Sequence, residues 1–134
     1  MIRYKVVRKV SIEPFVGYSC YATGDYQLTY SENTVVTAKE GTLGIGVFER
    51  RYQAKNFMQR EFSANSCRIL RVIPIGRGKR YRFVCESQDT SNLDIFYRRH
   101  RGGLNALLEN LFSPVNSMSS PLGTIFYQQI KVLK

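Results

Sequence analysis

Residues 67–86, CRILRVIPIGRGKRYRFVCE, decide how this chain is expected to fold. Two β-forming runs, 67–75 and 80–86, flank Gly76-Arg77-Gly78-Lys79, a turn whose two glycines can take positive φ. That pattern predicts an antiparallel hairpin. Pro74 has no N–H to give a ladder, so the first strand should finish at an edge or splay outward. In the second strand Arg80 and Arg82 alternate with Tyr81 and Phe83, which sends both arginines to one face. Cys85 continues the apolar face.

Working upstream, residues 2–10 (IRYKVVRKV) predict an opening strand, with Tyr4, Val6 and Arg8 on one face and Lys5, Val7 and Lys9 on the other. Residues 15–22 and 25–30 predict two more strands, parted by the turn Thr23-Gly24-Asp25. Residues 34–38 predict a short edge strand. Residues 43–48 (LGIGVF) predict a central strand in which Gly44 and Gly46 clear one face for a close neighbour. Residues 50–62 predict a helix that buries Ala54, Phe57, Met58 and Phe62 and turns Arg51, Lys55, Gln59 and Arg60 outward.

Downstream, residues 93–97 predict a strand and 104–112 (LNALLENLF) a second helix with a leucine stripe, ended by Ser113-Pro114. Residues 113–123 predict a long loop and 124–133 a closing strand. The fold expected is α+β, a single domain over residues 1–134. It is a twisted, mainly antiparallel sheet of six to eight strands, with one helix near 50–62 and a second at 104–112.

The chain has 134 residues, enough to bury roughly two-thirds of its unfolded surface. With 43% hydrophobic and 22% charged residues, it is outside the disordered class. Cys20, Cys67 and Cys85 are odd in number and form no C-x-x-C, which argues against a disulfide framework and for a reducing compartment. They read as small buried apolar side chains. His100 is the sole histidine, so no patterned metal site is expected, and no cofactor. No apolar run approaches the ~18 residues of a membrane span. A cytoplasmic chain with no membrane partner is expected.

Charge gives the functional lead. Of twenty Lys and Arg residues, ten lie between Arg50 and Arg82 against one acid, Glu61, so this segment carries +9 of the +10 net charge. Such asymmetry points to an anionic partner, nucleic acid or an acidic protein. The candidate nucleic-acid-binding residues are Arg68, Arg71, Arg77, Lys79, Arg80 and Arg82. Arg98, Arg99 and Arg101, ahead of Gly102-Gly103 and a predicted helix N-terminus, form a secondary patch. The same alternation also suits a solvated face, or an edge kept charged against aggregation.

Catalytic residues are not assigned. The single histidine sits among arginines, Gly41-x-x-Gly-x-Gly46 is not a dinucleotide fingerprint, and neither a Walker A sequence nor H-E-x-x-H is present. An acid/base pair assembled in space from Glu32, Glu40 and Glu49 stays open. The expected function is a nucleic-acid or polyanion-binding module. The alternative is a structural or protein-interaction protein of a phage or mobile element, and the third reading is an enzyme of unrecognised type.

Tyr4-Lys5-Val6-Val7-Arg8, Ala38-Lys39-Glu40-Gly41-Thr42, Gly46-Val47-Phe48, Ala54-Lys55-Asn56-Phe57 and Arg68-Ile69-Leu70-Arg71-Val72 together resemble a loose group of small uncharacterised proteins of phages, large viruses and prokaryotes. That group typically shows a YKVLR start, a Y-x-x-G-K-W-x-x-A-P-x-G-T middle, F-V-F and an A-K-x-F helix. The resemblance covers residues 1–72. It implies an α+β fold and a phage or mobile-element origin, with no activity, cofactor or catalytic residue attached. This chain lacks the tryptophan, has Lys39 where proline is usual, and has Glu49-Arg50 in place of Asp-Ser before the helix. The last change removes the side-chain N-cap, so the helix should start differently.

Overall fold

A computed structural model describes residues 1–13, 15–20, 24–63, 65–85, 93, 97 and 117–134. Ten strands and one α-helix are named within them: β1 (Arg3–Ile12), β2 (Phe15–Tyr18), β3 (Thr29–Ser31), β4 (Val35–Thr37), β5 (Ile45–Phe48), α1 (Arg51–Glu61), β6 (Cys67–Ile75), β7 (Phe83–Cys85), β8 (Ser117–Ser119), β9 (Thr124–Tyr127) and β10 (Gln129–Val132). All pairings are antiparallel. The predicted helix at 104–112 lies outside the described residues.

The strands form a nearly closed barrel. β1 pairs with β6 on one edge and with β5 and β2 on the other. β5 pairs with β9, and β6 pairs with β10. Only Gln128 separates β9 from β10, so the path from β1 through β5, β9–β10 and β6 returns to β1. A second arm runs β1–β2–β3 and crosses the short turn 32–34 to β4, which pairs with β10.

Inward side chains from these strands share one core. It includes Val7, Phe15, Tyr30, Val36, Val47, Val72, Tyr127 and Ile130. Ile125 and Tyr127 face the core, and so do Ile130 and Val132. The alternation therefore slips by one residue at Gln128, which divides the single closing strand predicted at 124–133. α1 covers the outside of the barrel. Its Ala54 and Phe57 pack on Val6, Phe48 and Cys67, as the predicted helical face requires. Arg50 provides no side-chain cap. Instead Gln53 reaches back, its Oε1 accepting the Arg50 N–H at 3.0 Å.

The predicted hairpin does not form. β6 has β1 along residues 67–72 and β10 along 72–75, so its edges are taken by distant strands. Beyond Gly76 the chain crosses over, and Lys79 bridges Phe126 with backbone hydrogen bonds of 2.9 and 2.8 Å. Among the described residues of the predicted strand 80–86, Phe83–Cys85 is extended, and it pairs with β8 inside the predicted loop 113–123. Two more expectations fail. Gly24–Tyr26 is a 3-10 turn, with Gly24 at φ 58, in place of the start of a strand. Leu93 and Tyr97 are helical where a strand was expected over 93–97.

Three glycine positions permit the close packing. Gly44 has φ +106 and a Cβ there would lie 2.8 Å from the Tyr127 carbonyl oxygen, while at Gly46 the Phe126 ring takes the side-chain space. This fits the expected clear face. Gly78 lies against the barrel core, where an added Cβ would meet Ile125 Cγ2 at 2.6 Å and Tyr127 Cζ at 2.7 Å. Both neighbours are buried and cannot swing out. Gly78→Ala is therefore expected to cost about 1–3 kcal/mol, the usual penalty for overpacking, read as a lower urea midpoint with unchanged slope.

Candidate functional site

The barrel divides the ten-cation segment. Arg68 and Arg71 lie on β6, which is followed by Arg77, Lys79, Arg80 and Arg82 on the crossover. Arg68 and Arg71 join Arg51 of α1 and Lys134 around one surface depression of about 410 Å³. Its remaining walls include Met58, Ile69 and Leu133. Three segments distant in sequence thus bring Arg51, Arg71 and Lys134 together on the α1 side of β6, with no Asp or Glu side chain among the described residues lining the depression, while Arg68 has the opposite parity and directs its guanidinium to the other face.

These cations differ in how free they are. Arg68 lies over the Phe15 ring, 4.4 Å from its centroid, and faces Glu32 at 3.8 Å. Both side chains of that pair are about a third or more exposed, so it contributes little to stability. Arg71 and Arg51 are exposed and have no ion-pair partner among the described residues. The Leu133 N–H donates to the Arg71 carbonyl at 2.9 Å, tying the C-terminal segment to β6.

The other predicted contacts stand apart from this depression. Arg80 is bound to Glu49. Lys79 lies over the Tyr81 ring and Arg82 over the Phe83 ring, at 5.1 and 5.2 Å. Arg77 is exposed. Arg80 and Arg82 are not on a regular strand, so the single face predicted for them is not a sheet face. Arg98, Arg99 and Arg101 lie outside the described residues.

No protein-family model matches the chain, and no curated protein or solved structure matches it. The functional reading rests on the residues themselves. Among the described residues no three His, Cys, Asp or Glu side chains gather as a metal-ligand set, and no helix is long and apolar enough to cross a membrane.

A second site went unread in the sequence. Along β1, Tyr4 pairs with Phe48 of β5 and Arg8 with Tyr18 of β2. Between them β5 and β2 part, and a cavity of about 160 Å³ lies there. The Val6 carbonyl accepts the Cys20 thiol at 3.4 Å, and the Gly46 carbonyl accepts Lys5 Nζ at 2.9 Å. Tyr30 faces Lys5, its ring centroid 5.7 Å from Nζ.

Burial sets the protonation of this group. It holds Lys5 below its ordinary 10.5, partly offset by the neighbouring Cys20. Burial also pushes the Cys20 thiol up to about 12 and the Tyr30 phenol above its usual range. Thiol and phenol are therefore neutral near pH 7.

The Lys5 shift has a thermodynamic consequence. Between the lowered pKa and 10.5 the unfolded chain holds a proton that the folded chain lacks, so stability rises with pH across that interval. The Cys20 shift has the opposite effect, lowering stability as pH rises above 9.0. In melting temperatures compared at each pH, the rise that Lys5 contributes below 10.5 is expected to be missing from Lys5→Met. Identical pH slopes in the two proteins would contradict it.

One signal for Lys5 was present in the sequence. It shares its face of β1 with Val7, a core residue, so a cation was already indicated on the inner side of the strand. Exposed Lys9 has the same parity, and nothing local distinguishes the two.

Proposed function

We propose that the protein binds a polyanion, with nucleic-acid phosphates as its partner, through Arg51, Arg71 and Lys134. One observation carries this reading: three basic residues from α1, β6 and the C-terminal segment line one depression that holds no carboxylate side chain among the described residues. Phosphate oxygens supply the negative charge that such a surface lacks, and counterion release drives their binding. Arg77, Lys79, Arg80 and Arg82 form a separate, partly engaged basic crossover that extends the positive field.

The test is fluorescence anisotropy of labelled single-stranded and duplex oligonucleotides, titrated with protein at several salt concentrations. Binding should weaken steeply with salt. Absence of salt-sensitive binding at low micromolar protein would end this reading, whereas binding of an acidic protein in its place would redirect it.

A second reading, a protein-interaction module, is favoured by the outer sheet face. Val35 and Ile73 flank Lys131 in register, and Ile75 follows on β6. All three apolar side chains are exposed. A stable oligomer in solution that Ile73→Lys dissolves would support it. The third reading, an enzyme, needs a cleft with a perturbed titratable group. The cavity at Lys5 has that form, but its described lining contains no Asp, Glu or His to exchange protons with a substrate.

A further inference from the structure

We propose that the cavity at Lys5 binds a small, mainly apolar carboxylic acid, with the carboxylate paired to Lys5 and the hydrocarbon part held by Leu43, Ile45, Phe48 and Phe57. This site uses none of the basic depression's residues and stands whether or not that depression binds nucleic acid.

Size limits the ligand first. A cavity of about 160 Å³ is close to the ~150 Å³ that accommodates a benzene ring elsewhere, so it suits one ring or a short chain with a head group. The four apolar walls supply hydrophobic contact for such a body.

Charge selects the head group. An ammonium has three donors, and Lys5 uses one of them on the Gly46 carbonyl. A second lysine, Lys39, also lines the cavity, with Nζ 4.8 Å from the Tyr26 ring centroid. No Asp or Glu is among the described lining residues, whereas Lys5 and Lys39 both are. A monoanion fits better than a phosphate dianion, whose larger dehydration cost would call for more donors.

This also explains a lysine in a place that disfavours its charge. Burial alone holds Lys5 toward its neutral form. A bound carboxylate favours the ammonium again. Binding is thus coupled to proton uptake and should weaken as pH rises through the lowered pKa.

Benzoate and toluene, which have similar bodies and differ in the head, provide the test on the full chain by calorimetry or NMR titration. Wild-type protein should bind benzoate at least about tenfold more tightly than toluene, the range of a hydrogen-bonded charge. Lys5→Met should reverse the order. Equal binding of the two by the wild type, no benzoate binding, or unchanged benzoate binding by Lys5→Met would overturn the proposal. If that variant fails to fold, wild-type protein carrying ¹³C-labelled lysine reads the same contact. Benzoate should raise the pH at which the Lys5 side-chain resonance titrates, and an unmoved titration would overturn the proposal as well.

Discussion

Replacing Arg51, Arg71 and Lys134 together with glutamine is expected to remove most of the salt dependence of oligonucleotide binding. Each lost phosphate contact lowers the slope of log affinity against log salt by roughly 0.7–0.9, so three contacts amount to about 2–3 units. Between 50 and 200 mM salt such a slope corresponds to about thirtyfold in affinity. Glutamine at Arg77, Lys79, Arg80 and Arg82 should do less, because Arg80 is already bound to Glu49 and two of the others lie over aromatic rings. Arg68 is on the other face of β6, against the Phe15 ring and Glu32. Its single replacement is therefore followed by thermal melting, where a change of about 1 kcal/mol or less is expected for exposed contacts of this kind. Equal slope losses from the two groups would show a diffuse field with no defined site.

Ile130→Ala should be among the most damaging single changes, at about 2–5 kcal/mol. Ile130 is fully buried, opposite Val36 of β4 and Pro74 of β6. It sits where the second arm meets the barrel, and its removal leaves a void that both sides line. Pro74 gives no N–H across this pair, so side-chain packing is the main tie at that point. Ile73→Ala provides the comparison. Ile73 is on the outer face and 39% exposed, and should lose about 1 kcal/mol or less. Urea denaturation of both variants tests the register of β6 and β10, since a one-residue slip would exchange inner and outer faces. Similar losses at both positions would contradict the barrel.

Periodicity carried what was legible in the sequence. The α1 face of Ala54 and Phe57 and the close approach at Gly44 and Gly46 follow from local spacing, and the structure has both. Strand partners do not follow from spacing. The two glycines after β6 looked like a hairpin turn, yet β6 pairs with β1 and β10, at opposite ends of the chain. Alternation shows that a segment is extended, but not which segment it meets. The slip at Gln128 is equally silent, because 124–133 reads as one continuous strand. The site divides in the same way. Arg68 and Arg71 were legible as basic residues on opposite faces of a strand, whereas Arg51 and Lys134 become neighbours of Arg71 only when α1 and the C-terminal segment fold against β6. Lys5 was hidden because the parting of β5 from β2 is a property of the closed sheet.

Arginine modification by phenylglyoxal, with and without a bound oligonucleotide and mapped by mass spectrometry, tests the central claim most directly. Protection is expected at Arg51 and Arg71, with Arg77 still reactive. Protection confined to Arg77, Arg80 and Arg82, or none at any arginine of the depression while the oligonucleotide is bound, would contradict it.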